Sequence, residues 1–255
     1  MDKLKIIKVG GRVVEDTGSL NNLLDQFLTI SGYKILVHGG GPAATDIATR
    51  LGIKTEMVNG RRITNKEMLD VATMVYAGLI NKNIVARLQA RGCNALGLTG
   101  ADLNLINAIK RPVRDIDYGF VGDIKNVNTR ELRLLINENI VPVIAPLTHD
   151  SQGNLLNTNA DTIAAEVAVE LAACFDVFLF YCFEKRGVLR EEDDENSVIS
   201  ELDNNLFMKY QQDGIISAGM IPKLENGFRA RQGGVKEVLI TNAAHIATGR
   251  GTRLL

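Results

Sequence analysis

The chain is poor in the features that announce the commoner functions. Among 255 residues there are three cysteines, widely spaced and beside apolar neighbours. Cys93, Cys174 and Cys182 cannot all pair, and no Cys/His spacing suggests zinc, so they are expected to be buried free thiols of a reducing compartment. The net charge is −1, which implies no polyanion partner and no nucleic acid. No apolar run approaches the length of a membrane span, so no membrane partner is expected. The start, Met1-Asp-Lys-Leu-Lys5, has no signal-peptide pattern, and the expected location is the cytoplasm. There is no G-x-x-x-x-G-K-[ST] loop and no G-x-G-x-x-G fingerprint, which removes the two commonest nucleotide motifs. His38, His149 and His245 stand far apart, and no Ser/His/Asp or Cys/His arrangement presents itself.

What is present is glycine placed after strands. Lys34-Ile-Leu-Val-His-Gly-Gly-Gly-Pro42 reads as a buried strand, a triple-glycine turn and a helix opened by proline. Such a turn offers backbone N–H groups at the positive end of a helix, where an anion can sit. A plain turn needs only one residue with positive φ, so three glycines favour an anion site. Leu4 to Val9 is a second buried strand ending in Gly10-Gly11, with Lys8 near its carboxyl end. A lysine there is costly unless it meets an anion or reaches solvent.

The remaining chain alternates in the manner of a parallel α/β fold. A helix is expected over Ser19–Ile30, with Ser19 as cap and Gly32 as stop. A hairpin over 54–63 has Asn59-Gly60 as a type I′ turn. A long helix runs from a Thr64 cap to Gln89 with Met68, Val71, Ala72, Val75, Leu79, Ile84 and Leu88 on one broad face, part of it a possible dimer surface. Cys93–Thr99 and Ile140–Ala145 are strands, the latter irregular at Pro142, and 103–109 and 119–127 are antiparallel excursions. Asn157, Asn159 and Asp161 gather where a helix begins; one of them suffices as its cap, so the others are binding candidates. Asp176–Phe183 is a very apolar strand, Glu191–Glu195 an acidic solvated tip, and Lys236–Thr241 the last strand. Pro222 opens another helix with Lys223 beside it.

Isolated lysines, exposed backbone N–H groups and one carboxylate suit phosphoryl transfer, where a protein mainly positions groups and offsets oxygen charge. A carboxylate acceptor, ionised at pH 7 with a pKa of about 4.3, needs no general base.

Six segments together resemble the amino-acid kinase family, and within it the members that phosphorylate an acylated glutamate. They are Ile7-Lys8-Val-Gly-Gly11, Val37-His-Gly-Gly-Gly-Pro42, Asn59-Gly-Arg-Arg62-Ile-Thr, Leu156-Asn157-Thr-Asn159-Ala-Asp161, Gly219-Met-Ile-Pro-Lys223 and Gly251-Thr-Arg253. The resemblance implies a three-layer αβα sandwich around a mainly parallel eight-stranded sheet. It implies an N-terminal lobe over 1–173 for the acylglutamate and dimerisation, and a C-terminal lobe over 174–255 for ATP. The implied reaction is ATP-dependent phosphorylation of the γ-carboxylate of an N-acyl-L-glutamate, acetyl or succinyl, in arginine biosynthesis, with Mg2+ carried by the nucleotide. By the same resemblance Lys8 would neutralise the transferring phosphoryl group and Lys223 the leaving group, with Asp161 holding both lysines. Gly10, Gly11 and Gly39 would bind phosphate, and the Gly40-Gly41 backbone would meet the phosphoryl group and the substrate. Arg62 would pair with the α-carboxylate, and Asn157 and Asn159 would bind the acylglutamate, Asn157 at its acylamino end.

Two departures from the family pattern stand out. Where Thr/Ser-Asp-Val-x-Gly is usual, this chain has Phe180-Tyr-Cys-Phe-Glu184-Lys-Arg-Gly187, which implies altered nucleotide contacts. The chain also begins three residues before Leu4, without the N-terminal helix of arginine-inhibited members, so an arginine-insensitive homodimer is expected. The alternatives are a family member acting on carbamate, aspartate, glutamate or a nucleoside monophosphate, or a non-catalytic ligand-binding module.

Overall fold

A computed structural model describes the chain except residues 59, 60, 192, 217 and 218. In chain order it runs β1 (Lys3–Val9), α1 (Gly11–Glu15), α2 (Thr17–Thr29), β2 (Tyr33–His38), α3 (Gly41–Arg50), β3 (Glu56–Val58), β4 (Arg61–Ile63) and α4 (Lys66–Ala72). A π-helical stretch, Thr73–Ile80, leads without a break into α5 (Asn81–Gln89). Then come β5 (Ala95–Leu98), β6 (Ile106–Lys110), β7 (Gly122–Val127), α6 (Thr129–Asn137), β8 (Val141–Ile144), β9 (Leu147–His149), β10 (Leu155–Asn157) and α7 (Ala160–Leu171). The chain finishes with β11 (Asp176–Phe183), β12 (Glu201–Leu202), α8 (Asn204–Gln212), α9 (Ile221–Gln232), β13 (Glu237–Asn242) and β14 (Thr252–Leu254). Eight strands form one mostly parallel sheet, as an α/β alternation requires.

The chain divides into two compact units, 1–34 with 164–255, and 35–163. The division differs from the sequence-based lobes of 1–173 and 174–255, because β1 pairs in register with β11 (Lys3↔Asp176 to Val9↔Cys182). That pairing draws the first 34 residues to the C-terminal part of the chain. In this first unit the strand order is β12-β14-β13-β11-β1, with only β13 and β14 antiparallel. Leu4, Ile6, Leu23, Leu24, Phe27, Val177 and Leu179 are fully buried in it. In the second unit β8 lies between β2 and β5, all parallel. A separate sheet, β10-β9-β6-β7, carries the antiparallel β6–β7 pair, and β3 pairs with β4 as the expected hairpin. The Asn59-Gly60 turn of that hairpin lies outside the described residues. Pro142 keeps the β5–β8 register unbroken (Leu96↔Pro142), while the pairing with β2 begins one residue later at Leu36↔Val143. The irregularity at proline is thus confined to one side of the strand.

Several local expectations are corrected. The cap of α2 is Asp16, whose carboxylate accepts from the Ser19 N–H (2.7 Å), rather than Ser19 itself. The cap of α4 is Asn65, which accepts from the Met68 N–H (2.8 Å). Thr64 is buried and committed elsewhere: its N–H donates to the Tyr118 carbonyl, and its carbonyl accepts from Phe120. On the long helix, Met68, Val71, Ala72, Val75, Ile84 and Leu88 are buried as expected, but Leu79 is 53 % exposed. π turns bond over five residues rather than four, so the inward face after Val75 passes to Tyr76 and Ile80. The last strand is β14, not 236–241. The cysteines are free, but only Cys182 is buried; Cys93 and Cys174 are partly exposed. Burial pushes the Cys182 thiol up to about 12, against the opposing pull of Lys8. Glu195 of the acidic tip lies 3.2 Å from Lys185, so that end of the run is paired rather than merely solvated.

Replacing Asn65 by Ala is expected to lower stability by about 1 kcal/mol in urea denaturation, and replacing it by Asp, an equally good cap, to leave stability nearly unchanged. Equal stability of the alanine variant would contradict the cap.

Candidate functional site

In the first unit, β1 and β11 run parallel and in register, with Lys8 opposite Tyr181. Paired residues in parallel strands share a face, and residues two apart on one strand share it too. Lys8, Tyr181 and Phe183 are therefore placed on one side of the sheet. Lys8 is 5 % exposed, so its ammonium is a buried charge rather than a snorkelling one. Its Nζ lies 5.0 Å from the centroid of the Phe183 ring. Lys223, in the first turn of α9 next to Pro222, places its own Nζ 5.0 Å from the same ring. Gly10, whose N–H donates to the Cys182 carbonyl (3.0 Å), ends β1 and caps α1, and Gly11 opens that helix. Two of the lysines marked in the sequence and one of its glycine turns thus meet in one place.

In the second unit, Gly40 caps α3 and Pro42 lies in its first turn. None of Gly39, Gly40 and Gly41 has a left-handed φ, so the positive-φ reason for glycine does not apply. Close approach requires it at Gly40 instead. A Cβ there would sit 2.9 Å from Tyr76 Cδ1 and nearer still to Ile80 Cδ1, both side chains that the π stretch turns inward. Arg62, on β4, reaches the same turn. Its Nη2 donates to the Gly41 carbonyl (3.0 Å) and to the Thr45 hydroxyl (2.7 Å), while its Nη1 is buried without a hydrogen-bond partner among the described residues. A guanidinium anchored through Nη2 with Nη1 unsatisfied suits a carboxylate ligand. Asn157 donates from Nδ2 to the Thr64 hydroxyl (3.0 Å). Asn159 is the cap of α7, its Oδ1 accepting from the N–H groups of Asp161 (2.8 Å) and Thr162 (3.1 Å). Asp161 is buried in the first turn of that helix.

Sequence reasoning missed a fully buried pair behind the glycine turn. Asn81 Nδ2 lies 3.1 Å from His38 Nε2 and donates to the Val143 carbonyl (2.9 Å); its Oδ1 accepts from Lys82 Nζ (3.1 Å). An ammonium can only donate and a carbonyl can only accept, so these two neighbours fix which way the Asn81 amide faces. Its N–H₂ must face His38, whose Nε2 must then accept. The proton therefore sits on Nδ1, which donates to the Gly39 carbonyl (2.9 Å). The Gly39–Gly40 peptide is trans, so the Gly40 N–H points the opposite way, away from the histidine. A neutral histidine thus sets the direction of a backbone donor in the glycine turn. No spacing rule reveals this, since the partners are 43 residues apart.

A model of the amino acid kinase family matches residues 3–242. An acetylglutamate kinase from Bacteroides fragilis is 60% identical over 253 residues, covering 99% of this chain and 97% of its own. One from Methanopyrus kandleri is 39% identical over 253 residues, covering 98% and 99%. Among solved structures, smu.665 from Streptococcus mutans UA159 matches with a TM-score of 0.83 at 27% identity, covering 98% of each chain. Carbamate kinase from Giardia lamblia bound to AMP-PNP matches with 0.69 at 14% identity over 99% of this chain and 98% of its own, a likeness of fold alone.

Imidazole nitrogen NMR of the free protein at neutral pH is expected to show His38 as the neutral Nδ1–H tautomer. An Nε2–H tautomer or an imidazolium would contradict the assignment.

Proposed function

The chain belongs to the amino acid kinase family, and on that premise we propose that it catalyses the ATP-dependent phosphorylation of the γ-carboxylate of N-acetyl-L-glutamate, a step of arginine biosynthesis. The observation that carries the substrate is 60% identity over practically the whole chain to proteins named acetylglutamate kinase. The buried Lys8 and its neighbour Lys223 support the chemistry, because paired ammonium groups are an environment for phosphate oxygens.

In the proposed reaction a γ-carboxylate oxygen attacks the γ-phosphorus in line. The bond from that phosphorus to the β,γ-bridging oxygen breaks, and its electron pair leaves with ADP. The product is an acyl phosphate, and no proton is moved because the acceptor is already ionised at pH 7. Lys8 takes the transferring phosphoryl group and Lys223 the leaving side. Asp161 supplies a buried carboxylate in the first turn of α7. Gly10, Gly11 and Gly39 to Gly41 contribute backbone donors. Arg62 binds the α-carboxylate through its unsatisfied Nη1. Asn157 serves the acylamino end, and Asn159, with its Oδ1 engaged by the helix, would reach the substrate through Nδ2. Ammonium and backbone N–H donors fit the phosphates of a nucleotide and not a bare cation, so Mg2+ is proposed to enter on ATP, where it offsets phosphate charge.

We also propose that the working form is a cytoplasmic homodimer without nucleic-acid or membrane partners. No helix among the described residues is long and apolar enough to cross a membrane. Exposed Met74 and Leu79 on the long helix offer an apolar face for a second copy.

In a coupled assay, Lys8→Ala or Asp161→Ala is expected to lower kcat by about 100-fold or more with circular dichroism unchanged; near-normal turnover would refute the residue roles. Light scattering is expected to give twice the mass of one chain, and a shift toward one chain for Met74→Glu. A monomeric or hexameric wild type would refute the dimer.

A further inference from the structure

We propose that Phe183 is a positioning residue for the lysine pair: its ring holds the ammonium groups of Lys8 and Lys223 by cation–π attraction while leaving both charges in place. The inference rests on the reading that these two lysines meet phosphate. Both Nζ atoms lie 5.0 Å from the ring centroid, inside the range in which the ring quadrupole attracts a cation. One cation arrives from a strand and the other from a helix N-terminus 215 residues further along the chain by number (223 − 8), so the ring joins two elements.

The ring is itself held. β11 is paired on both sides, with β1 and with β13, where Phe183 faces Asn242 in the register. Tyr181, two residues earlier on the same face, lies parallel to it, with centroids 6.3 Å apart and planes 4° apart. Gly10 makes room, since a Cβ there would stand 3.3 Å from Phe183 Cδ1. Unlike Tyr181, Phe183 is not fully buried, so filling a core does not account for it.

The chemistry favours an aromatic ring in this place. Lysine has a long, flexible stem, and two like charges repel, so each added attraction helps to keep the pair gathered. A benzene ring attracts both cations and carries no net charge, so the positive field on an incoming phosphate is kept.

Fluorination tests this, because it drains the ring's negative face while hardly changing its size. The full chain would be prepared with mono-, di- and trifluorinated phenylalanine at position 183, and as Phe183→Leu. The expected result is a stepwise fall in kcat, reaching about threefold to thirtyfold at the trifluorinated ring, with KM for N-acetylglutamate unchanged. The leucine variant should fall at least as far. A flat series would overturn the proposal, since a merely space-filling ring would not respond. In the unliganded protein, the ε-methylene protons of Lys8 and Lys223 should show upfield ring-current shifts that vanish in Phe183→Leu. If the wild type fails to phosphorylate N-acetylglutamate, the functional reading falls and these shifts alone decide: their presence supports the role of Phe183, and their absence overturns it.

Discussion

The in-register parallel pairing of β1 with β11 is the constraint on which the first unit depends. It is continuous from Lys3↔Asp176 to Val9↔Cys182 and is extended by the Gly10 N–H to the Cys182 carbonyl. A slip of one residue would turn every side chain to the other face. Lys8 would leave the side that holds Phe183, and Ile7 and Val9, now fully buried, would take its place. The register therefore fixes a core and the address of a buried cation in the same stroke. It also explains why the first 34 residues associate with the last third of the chain although the sequence order suggests otherwise.

In the second unit the corresponding constraint is a hydrogen-bond chain whose direction is forced from one end. Lys82 can only donate and Val143 can only accept, so the Asn81 amide, the His38 tautomer and the Gly39 carbonyl follow in turn. His38 and Asn81 are both buried, so breaking the link between them would leave polar groups without a partner away from water. The glycines of the turn are thus more than permissive. Gly40 is required by the closeness of Tyr76 and Ile80, and its N–H is aimed by the buried His38 behind the turn.

The repetitive parts of this structure were legible in the sequence. Strands such as Leu4–Val9 and Asp176–Phe183 and the hairpin about Arg61 follow from apolar runs and turn residues. Lys8 declared itself because a lysine in an apolar strand is conspicuous. Boundaries were less legible. Asp16 and Ser19, or Thr64 and Asn65, are all competent caps, and tertiary bonds such as Thr64 with Tyr118 and Phe120 decided between them. Leu79 was misplaced because a period of 3.6 was applied to a stretch that winds more widely. Phe183 was hidden for the opposite reason to Lys8: in Val-Phe-Leu-Phe-Tyr-Cys-Phe every residue is apolar, and nothing in the run marks the one that faces two cations.

The π-helical stretch has a consequence for how chains of this kind can vary. A π turn holds more residues than the α turn it replaces, so a single deletion between Thr73 and Ile80 could let the helix close up as ordinary α without losing helicity. Everything downstream would then rotate about the helix axis. Asn81 would swing off His38, and Ile80 off Gly40. Insertion and deletion here are therefore not neutral changes of length: the helix works as a counter, and the number of residues between Ala72 and Asn81 sets which side chains reach His38 and Gly40.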